Sequence, residues 1–232
     1  MELRVNRPGL EEYLREQIIP KYEGRDAGHD WLHIERVLDF AYLINEKLGD
    51  GGVDENLLTT AVICHDLGAT GNDKEGREGH NERSAAMVRS EVGLREFFDE
   101  GEIELVATAC FEHRSSYEGV RREMLSKIVA DADTMDSINF ERIILYYEEK
   151  YEGESEEFMI EKMWEHYLKK QHPEQGYARY DLQEAEETVG KRRGFLWQLL
   201  VEDGGRERFG AVMREKIAEM KEIGVKKPAC PL

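Results

Sequence analysis

The residues able to do chemistry in this chain are a few polar side chains set inside apolar stretches. In Cys64-His65-Asp66-Leu67-Gly68, a histidine and an aspartate follow the apolar run Ala61-Val62-Ile63. An imidazole nitrogen beside a hard carboxylate oxygen suits a divalent cation. So apolar a run, ended by two polar residues and a glycine, reads as a buried helix whose C-terminal end opens into a cavity. The dipeptide alone is a weak signal and needs partners elsewhere. His33 lies one turn into a long amphipathic stretch. Asp133 lies in Ile128-Val129-Ala130-Asp131-Ala132-Asp133-Thr134-Met135-Asp136, where three acids in an apolar segment are not all expected to face water. Asp133 and Asp136 are three apart and share a helix face. Asp131 lies about 200° round from Asp133, so the two cannot do the same job.

Helices must position these groups. Leu10, Tyr13, Leu14, Gln17 and Ile18 mark a first amphipathic segment ending near Pro20. From about Asp30 to Leu48, Ile34, Val37, Leu38, Ala41, Tyr42, Ile44 and Leu48 recur at three and four, until Gly49-Asp50-Gly51-Gly52 stops them. Asp54 is an N-cap for the helix that runs into His65-Asp66. Residues 69–79 read as a loop, and a helix opens at His80 or Asn81. Gly101 is expected to separate that helix from another over 103–113. Residues 114–119 form a loop, and 124–147 are helical with a break near Ser137-Ile138-Asn139. Three further helices are expected over 155–171, 181–201 and 206–220, with no repeat and no convincing strand. The fold class is all-α: a metal-binding core over 1–152, C-terminal helices packed on it over 153–224, and a mobile tail over 225–232.

The chain has 232 residues, 40% hydrophobic and 35% charged, which suits one large domain or one domain with a helical extension. A formal net charge of −18 argues against non-specific binding to nucleic acid or an anionic membrane. It does not exclude a small anionic substrate, since a metal and a few local cations can reverse the field inside a cleft. No apolar run is long enough for a transmembrane helix, and the N-terminus lacks the apolar core of a signal peptide. Cys64, Cys110 and Cys230 have no metal-type spacing and read as reduced thiols of a cytoplasmic protein.

The order His33-x-x-Arg36-Val37, His65-Asp66-Leu67-Gly68 and Ala132-Asp133-x-Met135-Asp136 resembles the HD superfamily of metal-dependent phosphohydrolases. The flanks Gly28-His29-Asp30-Trp31-Leu32-His33 and Ile128-Val129-x-Asp131-Ala132-Asp133 are similar to the small bacterial HD proteins of the YedJ and YpgQ kind. The resemblance covers about residues 10–150 and implies a helical bundle. It also implies a metal held by His33, His65, Asp66 and Asp133, and makes Asp131 a supporting or capping group. Mn²⁺ is the expected ion, with Fe²⁺, Co²⁺, Ni²⁺, Zn²⁺ or Mg²⁺ as alternatives that the ligands alone do not separate.

The remaining polar residues are weighed against bland roles. His80 and His113 sit at helix ends, where the family has polar residues that line the cavity or bind a second metal in its binuclear branches. They join Asp66 as catalytic candidates, the alternative being surface histidines. Lys74 and Arg77, in the loop after the pair, are substrate-binding candidates or solvated charges. Arg36 either lies over the substrate or pairs with an acid inside the site, and Arg142 is a lesser candidate. His29 is expected to shape the start of the helix capped by Asp30. His166 and His172 are read as structural or exposed. Trp164, Trp197 and the tyrosines of 146–180 fit core packing or a homodimer face.

The first functional reading is therefore a phosphohydrolase acting on a small phosphorylated molecule. The close resemblance favours a nucleotide, with pyrophosphohydrolysis of nucleoside triphosphates as the reaction. The alternatives are a metal-stabilised helical module that senses a ligand or binds a partner, and an all-α scaffold without metal. A complete ligand set beside a polar loop favours the enzyme, because structural sites tend to be closed by protein ligands.

Overall fold

The computed structural model describes residues 2–70, 78–174, 176 and 179–223. Among them are ten α-helices and no strand. They are α1 (Leu10–Tyr13), α2 (Trp31–Leu48), α3 (Glu55–Cys64), α4 (His80–Ser90), α5 (Glu100–Glu112), α6 (Met124–Asp136), α7 (Phe140–Lys150), α8 (Glu156–Gln171), α9 (Gln183–Val201) and α10 (Gly205–Ile223). No helix among the described residues is long and apolar enough to cross a membrane. The expected tail over 225–232 lies outside the described residues.

Local signals set most boundaries. The Asp30 carboxylate accepts the His33 backbone N–H at 2.9 Å and starts α2. Gly49 ends that helix with φ at +53°, a left-handed conformation that a side chain would strain. Asp54 caps α3 through the N–H groups of Asn56 and Leu57. Asn139 caps α7 and Ser155 caps α8. The break at Ser137-Ile138-Asn139 is thus a real boundary. Gly101 is a correction: it lies inside the first turn of α5, because Asp99 and Glu102 form a capping box that starts the helix before the glycine.

The core is built on α2, α3 and α6, which pack on one another. Leu58, Ala61, Val62, Ile63 and Cys64 of α3 are fully buried, as are Ile34, Val37, Leu38 and Ile44 of α2. The α5 helix lies against α3 and α6, with α4 outside it. Cys64 and Cys110 are free and buried. The C-terminal helices α9 and α10 pack on each other. α9 also reaches α2 and α6, and α10 reaches α7 and α8. The tryptophans serve this packing: Trp164 meets Phe209 edge-on at 5.3 Å, and Trp197 Nε1 donates to Gln171 O at 2.7 Å.

Asp131 ties the appended helices to the core. It is 1% exposed, and its carboxylate accepts the backbone N–H groups of Asp181, at 2.9 Å, and Leu182, at 2.8 Å. These are the donors just ahead of α9, where a helix presents unpaired N–H groups and the positive end of its dipole. Burial pushes the carboxyl up to about 7 although these bonds favour its ionised form. Asp131→Ala would strand buried donors, and we expect it to lower unfolding free energy by about 1–3 kcal/mol in denaturant titrations.

His166 of α8 packs edge-on against Tyr147 and Tyr167, and its Nε2 makes no hydrogen bond among the described residues. Burial first, then the charges of Lys170 and Arg142, lower its pKa to about 3. The unfolded chain takes up that proton near pH 6.5 while the folded one does not. Stability therefore falls as pH drops from about 6.5 toward 3. His166→Gln is expected to flatten that slope in thermal unfolding measured across the window.

Candidate metal centre

The His65-Asp66 turn is held by the carbonyls that α3 leaves unpaired at its end. Val62 O accepts from His65 Nδ1 at 2.7 Å, and Ile63 O accepts from the buried Tyr22 hydroxyl at 2.5 Å. Arg25, stacked on Tyr22, donates to Asp66 O at 2.6 Å and Leu67 O at 2.9 Å. Placing the His65 proton on Nδ1 leaves Nε2 as a lone pair. Gly68 then permits a close approach. A Cβ there would stand 2.4 Å from His80 O and 2.6 Å from Ser84 N. The Gly68 N–H donates to Ser84 Oγ at 2.8 Å, so the start of α4 is drawn in and delivers His80.

Two more imidazoles are oriented the same way. His113 Nδ1 donates to Cys110 O at 2.7 Å at the end of α5. His33 Nδ1 lies 2.7 Å from Asp136 Oδ2. Asp136, fully buried, also accepts from Arg36 Nε at 2.7 Å, and Arg142 Nε lies 3.1 Å from it. Burial opposes ionisation of Asp136, but Arg36, His33 and Arg142 hold its carboxyl well below the usual range. A charged acceptor behind an imidazole fixes the ring and raises the basicity of its far nitrogen.

All four rings converge on Asp66. Its Oδ2 lies 3.4 Å from His33 Nε2 and 3.3 Å from His65 Nε2. Its Oδ1 lies 3.1 Å from His80 Nε2 and 3.3 Å from His113 Nε2. Asp133 Oδ1 stands 3.5 Å from His33 Nε2. Donor atoms of His33, His65 and Asp133 fall within 4.8 Å of one another, and so do those of His65, Asp66 and His113. His33 Nε2, His65 Nε2 and Asp66 Oδ1 are buried and make no hydrogen bond among the described residues. Buried polar atoms of this kind need a partner. Imidazole lone pairs facing carboxylate oxygens fit a divalent cation between them.

The electrostatics show the same need for positive charge. Burial works to lower the His65 pKa, yet Asp66 and Asp133 overcome it and raise it to about 9. Asp66 is held well below its normal range by His65, His113 and His33 despite its burial. His113 is pushed down, chiefly by burial. Without a cation the two acids favour a proton on His65. A cation would replace that proton.

The structure brings together His33, His65, Asp66, His80, His113 and Asp133. His80 and His113 are buried rather than surface histidines. Arg36 is a correction to the substrate-facing expectation. It is 3% exposed and its guanidinium is engaged by Asp136, the other option open to it. Lys74 and Arg77 lie outside the described residues. The cavity over the cluster has a volume of about 180 Å³ and is lined also by His29, Arg114, Ser115, Ser116, Arg142 and Lys170. A larger hollow of about 510 Å³, beside Tyr22, Trp31 and Glu149, reaches none of the four converging imidazoles. Asp136 could be placed on the Asp133 face from sequence, but its role as His33's partner could not. Nothing local in the sequence marked Arg114 or Lys170.

Replacing Asp136 with Asn would remove the charge behind His33. We expect Asp136→Asn to weaken divalent-metal affinity about 10–100-fold, as measured by chelator competition.

The site and fold agree with one comparison to known families. Residues 31–139 match the family model described as HD domain. No curated protein and no solved structure matches the chain significantly. The narrower likeness to the YedJ and YpgQ kind therefore rests on the motif residues alone. The match spans α2 through α6, the segment whose helices and helix ends carry all six converging side chains. Over these residues the chain is similar to the HD domain family.

Proposed function

We propose that this protein is a metal-dependent phosphohydrolase acting on a small phosphorylated substrate, a nucleotide. Pyrophosphohydrolysis of nucleoside triphosphates is the reaction that the motif resemblance suggests. The observation that carries the hydrolase reading is the set of buried donor atoms, His33 Nε2, His65 Nε2 and Asp66 Oδ1, that make no hydrogen bond among the described residues, beside a polar cavity that Asp66 and Asp133 line.

His33, His65, Asp66 and Asp133 would hold the ion, with Mn²⁺ the first candidate. When bound, a divalent cation supplies Lewis acidity, lowering the pKa of an attached water and polarising a P–O bond. The protein does the rest. Asp136 keeps His33 in the tautomer that presents Nε2. The Val62 and Cys110 carbonyls do the same for His65 and His113. Asp66 is the proposed acceptor of the water proton. His80 and His113 face the cavity where a leaving oxygen would need a proton. Arg114, Arg142 and Lys170 offset phosphoryl charge.

A second reading of two of these residues has its own support. Asp66 Oδ1 faces His80 and His113 while Oδ2 faces His33 and His65. A carboxylate so placed suits a bridge between two cations, and His80 and His113 would then be ligands of the second. Metal analysis of wild type and His80→Ala separates the readings: a fall from two ions per chain to one favours the bridge.

The activity test is a panel of nucleotides and simple phosphoesters with Mn²⁺, read for phosphate and pyrophosphate. We expect turnover of at least one compound and its loss in the His65→Ala/Asp66→Ala double variant. Equal rates in both proteins would refute the hydrolase reading. Bound metal with no turnover would favour the sensing module.

A further inference from the structure

The cavity over the metal centre is completed by a helix outside the matched domain. Lys170 lies in the last turn of α8, beyond residue 139 where the family match ends. It lines the same cavity as Asp66, Asp133, His80 and His113, together with Arg114 and Ser116 from the segment after α5.

The three cations there are not equivalent. Arg142 is committed: its Nη2 donates to Gly28 O at 2.9 Å, and its Nε lies 3.1 Å from Asp136. Arg114 and Lys170 form no salt bridge among the described residues, although the chain carries a net charge of −18. Burial and the nearby Arg142 and Arg114 lower the Lys170 pKa, opposed by Asp133. Asp133 is itself turned toward His33, so a bound cation would share its charge. Two partly buried cations face one cavity with no salt bridge among the described residues, and its two acids, Asp66 and Asp133, are turned toward the imidazoles, an arrangement that favours an anion beside the cations.

Size narrows that anion. A volume of about 180 Å³ is well below the roughly 300 Å³ at which pockets enclose a whole organic ligand. It accommodates a phosphoryl head. The remainder of the substrate would lie over the adjoining hollow, which shares Arg114 and Ser116 and is edged by Phe111 and Tyr117. A phosphodiester would have to lead two organic arms out of the same small cavity, and it brings only one negative charge.

We propose that Lys170 and Arg114 seat a dianionic terminal phosphoryl group at the metal centre, so that α8 selects substrates entering by a phosphate end over phosphodiesters. The proposal rests on the phosphohydrolase reading for its biological meaning but not for its test. Lys170 is a substrate-binding residue, because its ammonium group would contact the phosphoryl oxygens directly.

Calorimetry on the Mn²⁺-loaded full chain, with inorganic phosphate and dimethyl phosphate as probes, tests it. Wild type is expected to bind phosphate at least tenfold more tightly than dimethyl phosphate. Lys170→Met, which keeps the side-chain stem, and Arg114→Gln should each weaken phosphate about tenfold or more. Lys170→Arg should retain most of the affinity, and manganese content should stay at the wild-type level in all three. No phosphate binding by loaded wild type, or phosphate affinity unchanged from wild type in Lys170→Met and Arg114→Gln, overturns the proposal. If phosphate binds through Lys170 but no phosphoester is hydrolysed, the functional reading fails and this seat stands. If hydrolysis occurs with phosphate affinity indifferent to both residues, the seat fails and the hydrolase stands.

Discussion

A buried carboxylate encircled by four imidazoles is the constraint around which this molecule is built. Asp66 is 3% exposed, and every ring nitrogen near it lies between 3.1 and 3.4 Å away. An ion removed from water so completely is costly unless positive charge meets it. The surroundings supply the geometry for that charge rather than cancelling it. The Nδ1 atoms of His33, His65 and His113 face acceptors away from the centre, leaving the Nε2 atoms turned inward. A packed core could not tolerate this arrangement by accident, since each inward atom would be an uncompensated polar group.

The supporting shell explains why the fold takes its shape. Tyr22 and Arg25, before α2, hold the carbonyls at the end of α3. Gly68 lets α4 close on the turn. Asp136 joins α6 to α2 through His33 and Arg36, and to α7 through Arg142. The same α6 turns Asp131 to the opposite side, where it anchors the start of α9. One helix thus carries an acid toward the candidate metal centre, an acid behind it and an acid that fastens the appended helices. The C-terminal segment is part of the site's wall, since α8 contributes Lys170 to the cavity.

Much of this was legible in the sequence because the signals are local. N-caps at Asp30 and Asp54, and the break before Asn139, follow from side chains bonding to backbone within three residues. The 3.6-residue period placed Asp133 and Asp136 on one face of α6 and Asp131 on another. It misjudged Gly101, where a capping box outweighed the glycine. Arg36 was open between two fates, since its helix position does not say which acid lies opposite.

The sequence by itself determined an all-α chain and an ordered set of polar residues on apolar helices. Those outcomes depend on periodicity and capping, which act over a few residues. Only the tertiary structure decided that His80 and His113 join the His65-Asp66 pair. It alone placed Asp136 behind His33, 103 positions away in the chain. It alone brought Lys170 into the same cavity from the far end of α8. These pairings are set by how helices pack and by which buried charges must find partners, and neither quantity is written in any short stretch of residues.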